Sequence, residues 1–291
     1  YGQSWTRLTT GNNGIPADSP TRVVREDPDR EGLLYTGTEF GMFISFDDGV
    51  HWQSFQLNLP ATPVTDIKIY RKDLILSTMG RSFWVLDNLT LLHQLNKQVA
   101  KSESHLYAPR NAYRMHFRPS RGVPTVPEFP PPGVMIDYYL GLEAAGEVKL
   151  EILDANGKLV RALSSESQDP QLVNWEQLTL QKEKMKRAGG SKLPNSAGAH
   201  RFSWDLRYAG AWHTEKDRVG SGGPMISPGR YQVKLTAGSL SHTERFDVLI
   251  DPRVVEDGVT QSDLKARESL NLKIQDILSQ ARMAAELIRK E

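Results

Sequence analysis

The stretch Ser45-Phe-Asp-Asp-Gly-Val-His-Trp52 lies between two apolar runs, residues 33–44 before it and residues 52–59 after it. Both runs are rich in the residue types that β-strands prefer. An Asp/Gly turn between two such runs predicts a β-hairpin. The interpretation of the N-terminal third of the chain rests on this hairpin.

Four residues of the stretch have distinct local roles in such a turn. The side chains of Ser45 and Asp47 can accept hydrogen bonds from backbone N–H groups. Gly49 supplies a positive φ without steric cost. Trp52 can pack its ring beneath the loop. The pattern Ser-x-Asp-x-Gly-x-x-Trp therefore predicts a structural turn.

This pattern resembles the Asp-box of BNR-repeat β-propellers, a family that includes sialidases, xyloglucanases and the sortilin ectodomain. Gly2-Gln3-Ser4-Trp5 is similar to the end of the motif, Gly49–Trp52. The interval between the two copies is about one propeller blade of 40–50 residues. The resemblance implies that residues 1–100 are the C-terminal blades of a propeller. It also implies that the chain begins inside a motif, so we expect upstream blades of the same protein among its partners. A downstream helix is expected as a further partner because of the apolar stripe near the end of the chain.

A second blade is predicted after residue 63. Val64–Tyr70 and Leu74–Thr78 read as strands joined by a short polar turn. Gly80–Asp87 lacks an Asp-box, and it resembles the closing blade of bacterial sortilin-like proteins. Within it, Arg81 is a candidate for the central cleft of a propeller, with a strand-end ion pair as the alternative.

The rest of the chain divides by composition. Residues 101–133 contain clustered prolines and are predicted to be a linker. Residues 134–252 alternate apolar and polar positions and have tight turns, which predicts a β-sandwich. Its order of strands resembles the immunoglobulin-like module that follows propellers in this family. A helical insertion is predicted at about 165–199.

Residues 253–291 are predicted to be helical. Thr260 fits an N-cap, with Asp263 three residues later. A stripe of apolar residues recurs at spacings of four and three: Leu270, Ile274, Ile277, Ala281, Ala284 and Ile288. Such a stripe needs a cover. A second helix, another chain or the sandwich itself can provide it.

The sequence identifies no catalytic, cofactor-binding or metal-binding residues. Asp47 and Asp48 are paired carboxylates, but adjacent residues in a tight turn do not provide the separation that glycoside hydrolysis requires. None of the seven histidines has the spacing of a metal motif. No phosphate-binding or nucleophile motif is present.

Composition limits the classes of partner. The formal net charge is +1, which gives no electrostatic reason to expect nucleic acid. The chain has no cysteine, and no apolar run is long enough to span a membrane. The resemblance implies a periplasmic or secreted protein. We expect a non-catalytic binding or scaffold portion that recognises a protein, peptide or glycan. The alternatives are part of a glycoside hydrolase with its carboxylates upstream, and a docking module that uses the C-terminal helix.

Overall fold

The computed structural model is mainly β and ends in a long α-helix, which confirms the predicted fold class. The structure describes residues 2–115, 132–144, 146–167, 173–174, 192–212 and 222–290. The chain divides into two compact units, Tyr1–His93 and Gln94–Glu291.

The first unit contains two antiparallel sheets in which spatial order follows sequence order. One has four strands: β1 (Thr21–Glu26), β2 (Leu34–Thr38), β3 (Met42–Ser45) and β4 (Gln53–Ser54). The other has three: β5 (Val64–Tyr70), β6 (Asp73–Thr78) and β7 (Phe83–Leu86). The short helix α1 (Thr90–Gln94) follows.

Both sheets contribute to one apolar core, and a glycine sets how closely they pack. Leu33, Ile44 and Ile67 are among the buried residues. A Cβ atom on Gly37 of β2 would lie 2.7 Å from Val64 Cγ1 of β5. A larger residue at position 37 would therefore push the two sheets apart.

The second unit is a β-sandwich. Its described residues form nine strands: β8 (Ser104–Leu106), β9 (Ala112–Arg114), β10 (Val134–Leu140), β11 (Val148–Asp154), β12 (Leu159–Ser164), β13 (Val173–Asn174), β14 (Gly198–Trp204), β15 (Gly229–Ala237) and β16 (Leu240–Ile250). One sheet has the order β13-β14-β10-β8, and the other has β12-β11-β15-β16-β9. Their inner faces share one core, to which Leu150, Phe202 and Trp204 belong. The alternation seen in the sequence points these side chains inward.

The sandwich begins earlier than the sequence predicts. Part of the expected linker 101–133 is instead strand, because β8 pairs with β10 and β9 pairs in parallel with β16. These three-residue strands at sheet edges are held by backbone pairing, and they are too short to give an alternating pattern. The proline cluster itself falls on residues 116–131, outside the described ranges.

The predicted helical insertion at about 165–199 falls mostly on residues outside the described ranges. In the part that is described, Val173–Asn174 form β13, and Leu193 is buried in the sandwich core. Gly198 already begins β14. The described ends of this segment are therefore integrated into the sandwich.

Two helices end the described chain: α2 (Pro252–Glu256) and α3 (Gln261–Lys290). The predicted cap is present at α3. The Asp263 N–H donates to Thr260 Oγ1 over 3.2 Å, and the Thr260 N–H donates to Asp263 Oδ2 over 2.8 Å. Among the described helices, none combines the length and apolarity that a membrane crossing needs.

Candidate functional site

Helix α3 is fixed to the sandwich by one buried leucine and one carboxylate. Leu264 is 4% exposed. The Glu268 carboxylate accepts hydrogen bonds from the Tyr208 hydroxyl over 2.8 Å and from the Ser227 N–H over 3.0 Å. The Ser227 hydroxyl also donates to it. Hydrogen bonds to a charged group are stronger than neutral ones, so Glu268 is a firm anchor.

Further along α3, polar side chains bind the segment that follows β14. Gln275 Nε2 donates to the Ala209 carbonyl over 2.8 Å. The Trp212 N–H donates to Ser279 Oγ over 3.0 Å, and Arg282 Nη1 donates to the Trp212 carbonyl over 3.1 Å. The helix therefore follows residues 208–212 for several turns.

An open groove of about 800 Å³ runs beside this docked face. Its walls come from α3, from β9 and from the segments on either side of residues 213–221. The described residues that line it are Arg114, Arg207, Ala211, Gly222, Gly223, Pro224, Met225, Arg267, Asn271, Ile274, Gln275, Leu278 and Arg282. Four of them are arginines, and none is acidic.

The arginines are held mainly by carbonyl groups. Arg114 Nε donates to the Ile226 carbonyl over 2.7 Å. Arg207 Nη1 donates to the Gly223 carbonyl over 2.9 Å, and its Nε lies 3.9 Å from Asp205 Oδ2. Carbonyl groups fix the direction of a guanidinium without neutralising its charge.

Burial and like charges act together on Arg114. Burial lowers the pKa of its guanidinium, and the charges of Arg267 and Arg207 lower it further, while Glu268 acts in the opposite direction. An arginine stays protonated at neutral pH despite such a shift. The groove therefore concentrates positive charge that a bound anion would stabilise.

Gly223 brings together the two backbone segments that form one wall of the groove. A Cβ atom at this position would lie 2.2 Å from the Tyr208 carbonyl oxygen and 2.3 Å from that of Ala209. The Tyr208 N–H donates to the Pro224 carbonyl over 2.9 Å. A glycine is required here because the backbones approach so closely.

The Asp-box-like stretch Ser45–Trp52 forms a closed turn after β3. Ser45 Oγ accepts the Gly49 N–H and donates to Asp47 Oδ1, both over 2.9 Å. Asp47 Oδ1 also accepts the His51 N–H over 2.9 Å. Gly49 has a φ of +82°. Trp52 is buried, and its Nε1 donates to a backbone carbonyl over 3.0 Å.

Asp47 therefore stabilises the turn through hydrogen bonds. Its second oxygen lies 2.7 Å from the His51 ring Nδ1. Hydrogen bonds from His51, first of all from its backbone N–H, hold the pKa of Asp47 below its ordinary value. The neighbouring Asp48 is exposed and has a positive φ of 57°.

Arg81 lies in the turn between β6 and β7, where its side chain is exposed. Its carbonyl accepts a hydrogen bond from Trp84 Nε1 over 2.9 Å. Two other arginines of this unit are engaged elsewhere, since Arg22 pairs with Glu39 and Arg25 pairs with Asp66. In the described part of the first unit, no hydrogen bond or ion pair links these arginines through a shared partner.

The first unit contains a buried polar cluster that the sequence did not predict. Asp27 is 3% exposed, and its Oδ2 accepts the Tyr35 hydroxyl over 3.1 Å and lies 2.9 Å from His93 Nε2. Its Oδ1 accepts the Asp29 N–H over 2.9 Å. The potential ligand atoms of Asp27, Asp29 and His93 lie within 4.8 Å of one another. Asp27 therefore joins Tyr35, Asp29 and His93 in one hydrogen-bond network, which stabilises the unit.

The arginine groove was also not predicted, because its members are far apart in the chain. One feature of the sequence does relate to the docking of α3. Glu268, Gln275 and Arg282 are spaced by seven residues, so they share one face of α3. This spacing places the three contact residues along one line of the helix, and the structure shows what that line contacts.

No protein-family model matches the chain, and no curated protein matches it. Among solved structures, the chain is similar to PorZ, an essential surface component of the type-IX secretion system of Porphyromonas gingivalis. The identity is 15% and the TM-score is 0.23, and the match covers 79% of this chain. The chain covers 30% of PorZ, less than a third of its length. A TM-score this low does not bear on fold or function.

Proposed function

We propose that this chain is a non-catalytic binding module of a larger extracytoplasmic protein related to the BNR β-propellers, and that the groove beside α3 binds an anionic ligand. The observation that carries this proposal is the presence of four arginines and no acidic residue among the described residues that line the groove. The blade assignment is supported by the Asp-box pattern at Ser45–Trp52 and by the sequential antiparallel order of the two sheets.

Guanidinium groups are suited to binding an anion because their N–H donors lie in one plane. An arginine presents several N–H donors in a plane that matches a carboxylate or a phosphate. In Arg114 and Arg207, one N–H is fixed on a carbonyl, and the guanidinium has further N–H groups to offer a ligand. A ligand anion would also relieve the mutual repulsion of neighbouring arginines.

A direct test is calorimetric titration of the chain with citrate at low ionic strength. Arg114→Gln combined with Arg267→Gln removes two charges from the groove, and we expect at least roughly tenfold weaker binding. Arg289→Gln is the matched control, because Arg289 is an exposed residue of α3 outside the groove lining. The proposal fails if citrate does not bind, or if the double variant binds it as the unchanged chain does.

A second function, docking of a partner through α3, is supported by the apolar stripe. Leu270, Ile277 and Ile288 are 58%, 65% and 74% exposed. At about 100° per residue, Leu270 and Ile277 lie on the side of the helix away from Glu268 and Gln275. The described part of the sandwich therefore does not cover them. Of the three structures that could bury the apolar stripe, a second helix of the same protein and another chain are still possible.

Light scattering tests this second function. Ile277→Lys places a charge in the centre of the stripe without touching the docked face. If the stripe joins two copies, the chain has the mass of a dimer and the variant has the mass of a monomer. If both are monomers, self-association is excluded, and a second helix of the same protein or a different chain is left to cover the stripe.

A further inference from the structure

The arginines that line the groove are spread along its length. Arg267 and Arg282 both line it, and they are 15 positions apart on α3. At a rise of 1.5 Å per residue, their backbones are about 22 Å apart along the helix axis. A ligand that contacts both arginines must therefore be elongated.

The charges are concentrated at the two ends of this length. Arg114 donates to the Ile226 carbonyl, and the Ile226 N–H donates to the carbonyl of Leu206, the neighbour of Arg207. Ser227, the residue after Ile226, binds Glu268, the neighbour of Arg267, so these three arginines lie at one end. Arg282 lies several turns further along α3, where its Nη1 donates to the Trp212 carbonyl. The groove thus offers three guanidiniums at one end and one at the other.

The walls between the two ends are mainly aliphatic. Ile274 and Leu278 contribute from the helix, and Pro224 and Met225 contribute from the opposite segment. Asn271 adds one polar side chain. No aromatic residue is among the described lining residues. Such walls favour aliphatic side chains, which gain free energy when they leave water.

We propose that the groove binds an extended acidic peptide segment of about six or seven residues, with carboxylates at both ends and aliphatic side chains between them. The length follows from a rise of about 3.3 Å per extended residue across the groove. This inference rests on the proposed function, because it names the class of ligand for the same groove.

An acidic oligosaccharide fits the groove less well. Each sugar carries several hydroxyl groups, and a hydroxyl buried against an aliphatic wall without a partner costs free energy. A small anion can contact the arginines at one end of the groove only, so the arginines at the other end stay without a ligand. A peptide of the stated pattern satisfies both ends and the apolar walls together.

Four ligands of matched charge test the proposal on the full chain by calorimetry. The first is a seven-residue peptide with Glu at both ends and Val or Leu between them. The second has the same composition with both Glu residues at one end. The third has Ser in place of the aliphatic residues. The fourth is an oligogalacturonate with the same net charge.

We expect the first peptide to bind about tenfold more tightly than each of the others. Arg282→Gln should weaken the first peptide about tenfold and leave the second nearly unchanged, because only the first reaches both ends. Arg289→Gln should change neither. Equal affinities for the two peptides, or tighter binding of the oligogalacturonate, would overturn the peptide assignment.

The two proposals fail in different ways. Citrate binding that depends on Arg114 and Arg267, without binding of any peptide, would overturn the peptide assignment and leave the anion site standing. Absence of binding by citrate and by all four ligands would overturn both.

Discussion

The Tyr208 hydroxyl donates a hydrogen bond to Glu268 Oε1 over 2.8 Å and so ties the segment after β14 to helix α3. Burial raises the pKa of Tyr208, and the hydrogen bond to Glu268 raises it further. The tyrosine therefore stays a neutral donor across the ordinary pH range. Since the same carboxylate also binds Ser227, three elements meet at Glu268.

Replacement of Glu268 by Ala should loosen α3. The change leaves the Tyr208 hydroxyl and the Ser227 N–H without their acceptor, and we expect a loss of about 2–4 kcal/mol in the free energy of unfolding. Urea denaturation followed by circular dichroism measures this loss. Asp276→Ala is the control, because Asp276 is an exposed carboxylate of the same helix that accepts a hydrogen bond from Gln280. Equal effects of the two changes would contradict the anchoring role.

Replacement of Gly223 by Ala should disrupt the wall of the groove. The new methyl group would overlap the carbonyl oxygens of Tyr208 and Ala209. We expect a loss of about 1–3 kcal/mol from overpacking and a weaker affinity for citrate. Gly157→Ala is a useful comparison, because its backbone also has a positive φ of 80° but a Cβ atom there would meet nothing within 4 Å. Unchanged citrate affinity in Gly223→Ala would show that the wall does not shape the site.

Replacement of Asp27 by Asn should destabilise the first unit. One carboxylate oxygen becomes an NH₂ group that cannot accept the hydrogen bonds of the buried network with Tyr35 and His93. We expect a loss of about 2–4 kcal/mol, measured by thermal or urea unfolding. Asp29→Asn should cost less than about 0.5 kcal/mol, because its side chain is exposed. If Asp27→Asn were equally mild, the network would not be a stabilising feature.

The turn at Ser45–Trp52 should weaken in acid. The pKa of Asp47 is lower in the folded turn than in the unfolded chain, so its contribution is complete above the unfolded value of about 3.9. That contribution is lost as the pH falls through the lower, folded value. Amide hydrogen exchange of the His51 N–H, expressed as a protection factor relative to the intrinsic rate at each pH and followed from pH 6 downward, should reveal this loss.

Asp47→Asn should remove the pH dependence of this protection factor. Asp48→Asn should keep it, because Asp48 is exposed and Asn tolerates its positive φ. An equal effect of the two changes would contradict the assignment of the turn to Asp47.

The sequence predicted the features that depend on local spacing. Phe202 and Trp204 alternate with polar residues, so their burial on one face of β14 followed from the period of a strand. The cap formed by Thr260 and Asp263 followed from a three-residue spacing. Strands β8 and β9 were missed, because each has three residues and owes its place to a partner strand far away in the chain.

The candidate site was missed for a related reason. Arg114 and Arg267 line the same groove only after β9 has paired within the sandwich and α3 has packed on it, and no local pattern encodes this proximity. The contact between His93 and Asp27 was missed for the same reason, because the two residues are 66 positions apart in the chain. Sequence spacing reveals which face a residue occupies, whereas convergence depends on the tertiary fold.

An NMR titration that observes the arginine side-chain Nε–Hε signals as citrate is added tests directly whether the groove is an anion site. The proposed site predicts saturable shifts of Arg114, Arg207 and Arg267 with one common dissociation constant. It predicts no comparable shift of Arg230, an exposed residue of β15 outside the groove lining. Shifts that are linear in citrate and spread over the surface arginines, or no shift of the three groove signals, would contradict it.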